Sequence, residues 1–67
     1  MQKRLLRIKE VIALTGLSRS YIYKLTDEGG FPPKVNLTAG GTSVAWVEAE
    51  VQAWIEQKIS NRNLGQS

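Results

Sequence analysis

Ser18, Arg19 and Ser20, followed by Tyr23 and Lys24, place two hydroxyls, a guanidinium, a phenol and an ammonium within a single short stretch of a 67-residue chain. These groups suit non-covalent recognition of an anion or a base edge. A guanidinium pairs in fork geometry with O6 and N7 of guanine, hydroxyls bond base edges or phosphate oxygens, and ammonium groups meet phosphates. Covalent chemistry has little to work with. Cys and His are both absent, which excludes disulfides, Cys/His zinc sites, thiol catalysis and an imidazole base. The acidic residues are scattered, no phosphate-cradling glycine motif is present, and Gly40-Gly41 reads as a turn. The expectation is a binding protein with no cofactor and no enzymatic activity.

The elements that must position these groups can be read from spacing. Ile8, Val11, Ile12 and Thr15 fall on one helical face with Lys9, Glu10 and Ala13 outward, predicting a first helix of about two turns. Gly16 ends it by taking the left-handed conformation, and Leu17 packs back on the preceding turn. Ser18 is then an N-cap for a second helix, accepting a bond from the backbone N–H of Ser20 or Tyr21. At 100° per residue Ile22 and Leu25 mark the buried side of that helix, with Ser20, Tyr23, Lys24 and Asp27 opposite and Arg19 beside them. Gly29-Gly30 and Phe31-Pro32-Pro33 stop it. Two short helices about a glycine turn make a helix-turn-helix, whose second helix enters a DNA groove.

Before the first helix, Arg4-Leu5-Leu6-Arg7-Ile8 reads either as a short strand or as an extended lead-in. Beyond the prolines, Lys34 to Leu37 and Ser43 to Trp46 alternate as strands about a Thr38–Thr42 turn, which predicts a hairpin, or wing. A last helix spans Val47 to Ser60, with Val47, Val51, Trp54, Ile55 and Ile59 as one apolar stripe. Asn63 to Ser67 lacks periodicity and is expected to fray. The fold class is therefore mainly α with a small β-hairpin: a winged helix-turn-helix of three helices plus wing, forming one domain over residues 1–62.

Charge supports the same partner. Through Leu25 there are six basic residues against Glu10 alone, net +5, whereas the remainder has three bases against five acids, net −2. A one-sided basic field suits a polyanion, because neutralising phosphates releases condensed counterions. No apolar run approaches a membrane span and no leader pattern opens the chain, so the expected location is the cytoplasm of a bacterium or phage host.

The ordered motifs resemble a known family. Arg4-Leu5-Leu6-Arg7, Leu14-Thr15-Gly16-Leu17-Ser18-Arg19-Ser20 with Ile22-Tyr23, Phe31-Pro32 after the glycine pair, and Trp46 before a helix carrying Ala53-Trp54-Ile55 are similar to the AlpA family of prophage regulators. That family is in turn similar to phage excisionases and to the DNA-binding domain of MerR-type regulators. The resemblance implies a sequence-specific binder of double-stranded DNA that regulates transcription or assists an integrase in excision. It also implies a monomer in solution, which binds beside another copy of itself on adjacent sites. One departure stands out. Family members commonly carry a basic residue in or just after the wing, whereas this chain has no Lys or Arg between Lys34 and Lys58.

Roles then distribute as follows. Arg19 is the first candidate for a base contact, with a phosphate contact as its alternative. Ser20 either bonds a base edge or phosphate or serves only the helix start, and Ser18 sits at the same entering end. Tyr23 and Lys24 fit phosphate contacts flanking the groove, although the Tyr23 ring could instead pack on the first helix. Tyr21 is expected at the boundary between helices. Arg4, Arg7, Lys9 and Lys34 are either backbone contacts or solvated charges. Thr42 and Ser43, with Thr38, offer wing hydroxyls to phosphates, and Asp27 repels DNA, so the helix enters by its Ser18 end. Phe31, Trp46 and Trp54 are assigned to the core between wing and last helix. A protein-interaction module, such as a small antirepressor on the same scaffold, is the competing reading; the acidic face of Glu48, Gln52 and Glu56 speaks for it.

Overall fold

The computed structural model describes residues 3–64. Six elements follow one another: β1 (Leu5–Leu6), α1 (Ile8–Thr15), α2 (Arg19–Glu28), β2 (Val35–Asn36), β3 (Val44–Val47) and α3 (Glu48–Leu64). The three helices and the β2–β3 hairpin are those the spacing predicts. β2 is shorter than its alternating run, confined to Val35–Asn36, and β3 keeps four residues but is shifted by one, to Val44–Val47.

Local chemistry explains each helix boundary. Arg7 is extended at the start of α1, and its backbone N–H donates to Glu10 Oε1 at 3.0 Å, so the N3 carboxylate satisfies the N-cap amide. Gly16 closes α1 in the left-handed region (φ 76°), its N–H donating to the Ile12 carbonyl at 2.8 Å. A side chain at that φ is strained, which is why glycine occupies the turn. Thr15 Oγ1 donates to the Val11 carbonyl and accepts the Leu17 N–H, steering the chain into α2. At the far end of α2, Gly29 (φ 83°) donates to Thr26 and Gly30 donates to Leu25 at 2.9 Å, the two reverse bonds of a Schellman cap.

Leu5–Leu6 are a strand, and they enlarge the hairpin into a three-stranded antiparallel sheet of order β1-β3-β2. Leu6 pairs with Trp46 and Leu5 with Val47, while Val35 pairs with Ala45 and Asn36 with Val44. β3, flanked on both sides, buries Ala45 and Trp46 in succession. It passes into α3 without a loop. The Glu48 N–H donates to the Arg4 carbonyl at 2.8 Å, so the residue before β1 satisfies one of the orphan amides of a helix preceded by Val47, whose side chain has no polar atom to cap it.

Two expectations about α3 need correction. Val47 belongs to β3 rather than to the helix, because pairing with Leu5 holds it extended. The helix also continues past Ser60 and Arg62 to Leu64, since nothing between Glu56 and Leu64 breaks it. Asn63 and Leu64, expected to fray, are therefore helical, and Gly65 to Ser67 lie outside the described residues. Ile59, expected in the buried stripe, is 49% exposed because the helix has by then run past the core.

That core is made by Leu6, Val11, Ile22, Phe31, Trp46 and Val51, drawn from β1, α1, α2, the proline loop, β3 and α3. Each such side chain contributes roughly 1.5–3 kcal/mol on full burial. Trp46 is the largest fully buried residue. Phe31 meets it edge-on at 6.5 Å and meets Trp54 at 4.9 Å, as expected for aromatics that close the space between wing and last helix. Among the described residues no helix is long and apolar enough to cross a membrane.

Candidate nucleic-acid interface

α2 is held by Ser18 at one end and by its buried face along the other side. Ser18 is extended (φ −74°, ψ 159°) and its Oγ accepts the Tyr21 N–H at 3.2 Å, one of the two amides anticipated for the cap. Ile22 is fully buried and Leu25 packs against the core. Ser20 and Lys24 therefore lie opposite Ile22 on the helical wheel, both exposed, and Arg19 projects from the first turn, also exposed. These three side chains take part in no hydrogen bond or ion pair among the described residues.

The two tyrosines differ in their surroundings. Tyr23 is half-buried, its ring 5.8 Å from that of Trp46 and packed against the core, which accords with the packed one of the two readings given for its ring. Tyr21, expected between the helices, is 46% exposed on the first turn of α2. Sequence spacing missed it as a candidate contact. The only available signal was its position immediately before Ile22, on the opposite side of that residue from Tyr23.

Two other candidate cations, Arg4 and Lys34, are already engaged. Arg4 donates from Nη2 to Glu10 at 3.0 Å and from Nη1 to Glu48 at 3.2 Å, with its own side chain 63% exposed. Exposed pairs of this kind contribute little to stability, up to about 1 kcal/mol, but they direct the guanidinium toward β1, α1 and α3. Lys34 lies 3.6 Å from Asp27, so the far end of α2 holds a compensated pair. Arg7 and Lys9 are exposed. Lys58 stacks over the Trp54 ring at 5.2 Å.

The hairpin tip carries the remaining candidates. Leu37 N–H donates to Ser43 at 2.9 Å, and Gly41 N–H donates to Thr38 at 3.2 Å. Gly40, third residue of that four-residue turn, has φ 69°, as a type II turn requires. A Cβ on Gly41 would clash with Thr38 Oγ1. Thr38 and Thr42 are exposed and Ser43 half-buried. The tip is thus small, tightly turned and uncharged.

The family model described as prophage CP4-57 regulatory protein (AlpA) matches residues 4–59, which takes in every element from β1 to most of α3. The chain belongs to the AlpA family. Among curated proteins it is 52% identical over 64 residues to the uncharacterized protein ORF88 of Enterobacteria phage P4, covering 96% of this chain and 70% of that protein. It is 38% identical over 61 residues to the DNA-binding transcriptional activator AlpA of Escherichia coli strain K12, covering 82% of this chain and 84% of the relative. No solved structure matches it. The matched span in this AlpA-family chain includes the Ser18–Lys24 segment, the arginine-free hairpin tip and Trp46.

Proposed function

We propose that this AlpA-family protein is a sequence-specific double-stranded DNA-binding regulator of a prophage or mobile element, acting in the bacterial cytoplasm, with α2 inserted in the major groove by its Ser18 end. The observation that carries this reading is the asymmetry of α2. Among the described residues the side chains of Arg19, Ser20, Tyr21 and Lys24 are exposed on the first turns without a partner, whereas Asp27 at the other end is matched by Lys34. A helix with donors at its N-terminus and carboxylates near its C-terminus docks by the first turn, where the backbone amides also favour phosphate. Its relative's name, DNA-binding transcriptional activator, agrees with this.

Arg19 then reads a base edge, with guanine the natural partner of its fork. Ser20 and Lys24 bond base edges or flanking phosphates, Arg7 meets the backbone, and the hydroxyls of Thr42 and Ser43 offer weak contacts from the wing. Arg4 and Lys34 contribute through the field more than through contact, since each is paired within the protein. The protein binds as a monomer beside a second copy or an integrase, and whether transcription or excision results depends on those neighbours.

Selection of duplexes from a random pool tests the reading directly. A defined motif emerges, affinity for it falls steeply with salt, and Arg19→Ala lowers discrimination at one position by about 1–3 kcal/mol. An unchanged motif and affinity in Arg19→Ala removes α2 as the reading element. Protein binding with no salt-sensitive retention of DNA supports the antirepressor alternative instead.

A further inference from the structure

Among the described residues, one side-chain hydrogen bond links α2 to the sheet. Trp46, fully buried on the central strand, donates from Nε1 to Thr26 Oγ1 at 3.4 Å. Tyr23, one turn earlier on the same helix, lays its ring against the same indole. The Thr26 hydroxyl is itself oriented, since its proton goes to the Ile22 carbonyl at 2.8 Å, leaving a lone pair for the indole. Two residues at i and i+3 on one helix face therefore grip a single side chain from β3.

Apolar packing of Ile22 and Leu25 favours burial but is non-directional. A hydrogen bond has a required distance and angle. The Thr26–Trp46 bond, at 3.4 Å a long one, adds to the surrounding aliphatic contacts a directional restraint on rotation of α2 about its own axis. Base readout demands placement to within about 0.5 Å and 10–20°, and rotation of the helix would displace every candidate reader, Ser20 and Lys24 opposite Ile22 as well as Arg19, which precedes Tyr23 and Thr26 at i, i+4 and i+7 on one face. From this juxtaposition, and resting on the DNA-binding reading above, we infer that Thr26 is a positioning residue for sequence discrimination, acting through Trp46 without touching DNA.

The test compares full-length wild type, Thr26→Val, Thr26→Ser, Trp46→Phe and Val51→Ala. Each is assayed below its own melting transition on the duplex selected by wild type and on a scrambled duplex. Thr26→Val keeps the shape and β-branching of threonine without the hydroxyl, Thr26→Ser restores the hydroxyl, and Trp46→Phe removes the N–H from the other side. Val51→Ala weakens the same core with no effect on the bond. Thr26→Val and Trp46→Phe are expected to reduce the ratio of specific to scrambled affinity about 10-fold, the scale of one lost base contact. Thr26→Ser and Val51→Ala keep it, and all variants hold scrambled-duplex affinity and salt dependence within about twofold of wild type, because phosphate contacts are unchanged. Wild-type discrimination in Thr26→Val overturns the inference, as does an equal loss in Val51→Ala. Should Thr26→Val not fold, Trp46→Phe decides by the same criterion. Failure of wild type to select any motif refutes the DNA-reading function itself, a different result from selection by wild type with indifference to Thr26.

Discussion

The helix-turn-helix and the hairpin use the same local device, a glycine at positive φ that reverses the chain, at Gly16 and at Gly40, and they present opposite surfaces. Beyond Gly16 comes a ten-residue helix with a side-chain cap and unpaired cations on its first turns. Beyond Gly40 come hydroxyls and main chain on a ladder of two residue pairs, with no cation in the tip. The contrast teaches that a glycine turn supplies geometry only. Binding capacity comes from what the turn orients: one region offers charge on a rigid element, the other short neutral groups at a loop tip.

Ile22→Ala has the largest expected effect and marks where the contrast ends. Ile22 and Trp46 share one core, so truncation costs about 2–5 kcal/mol, and urea unfolding followed by tryptophan fluorescence should show helices and sheet lost together. Separate transitions for the two regions would mean that they are independent structural units. Next in size is Gly16→Ala, which forces a side chain into the left-handed region at a cost of about 1–2 kcal/mol. The same substitution at Gly40 imposes similar local strain on an exposed tip that can relax, so its midpoint in urea shifts less. An equal shift would show the wing to be as tightly coupled to the core as the interhelical turn. The smallest effect belongs to the double variant Thr42→Ala, Ser43→Ala, which removes two neutral hydroxyls and weakens duplex binding by under about 1 kcal/mol. A loss matching that of Arg19→Ala in the same titration would abolish the distinction between the two surfaces.

Much of the helix-turn-helix was legible because its determinants are local. Gly16, Ser18 and Gly29 act on backbone groups within a few residues of themselves, and the 3.6-residue period identifies Val11 and Ile22 as inward. The β2–β3 hairpin was legible for the same reason. The status of Leu5–Leu6 was open because its partner strand lies about forty residues away, and no local signal specifies which distant segment completes a ladder. The start of α3 was misplaced at Val47 for the same cause, and its end fell short because missing periodicity in Asn63 and Leu64 does not by itself terminate a helix.

The tyrosines show the limit inside the candidate site. Periodicity places Tyr21 and Tyr23 on either flank of Ile22 but cannot say which flank meets the sheet. Only the packing of Trp46 against one side of α2 sends Tyr23 inward and leaves Tyr21 exposed. Likewise the sequence shows Arg4 and Lys34 as cations, and only the approach of Glu10, Glu48 and Asp27 turns them into internal pairs. The sequence by itself determined α1 and α2, the caps at Gly16, Ser18 and Gly29, and the neutral wing, all properties of neighbours along the chain. The tertiary structure alone decided which side chains α2 leaves free and what holds its rotation, because both depend on contacts between segments that meet only when the core closes around Trp46.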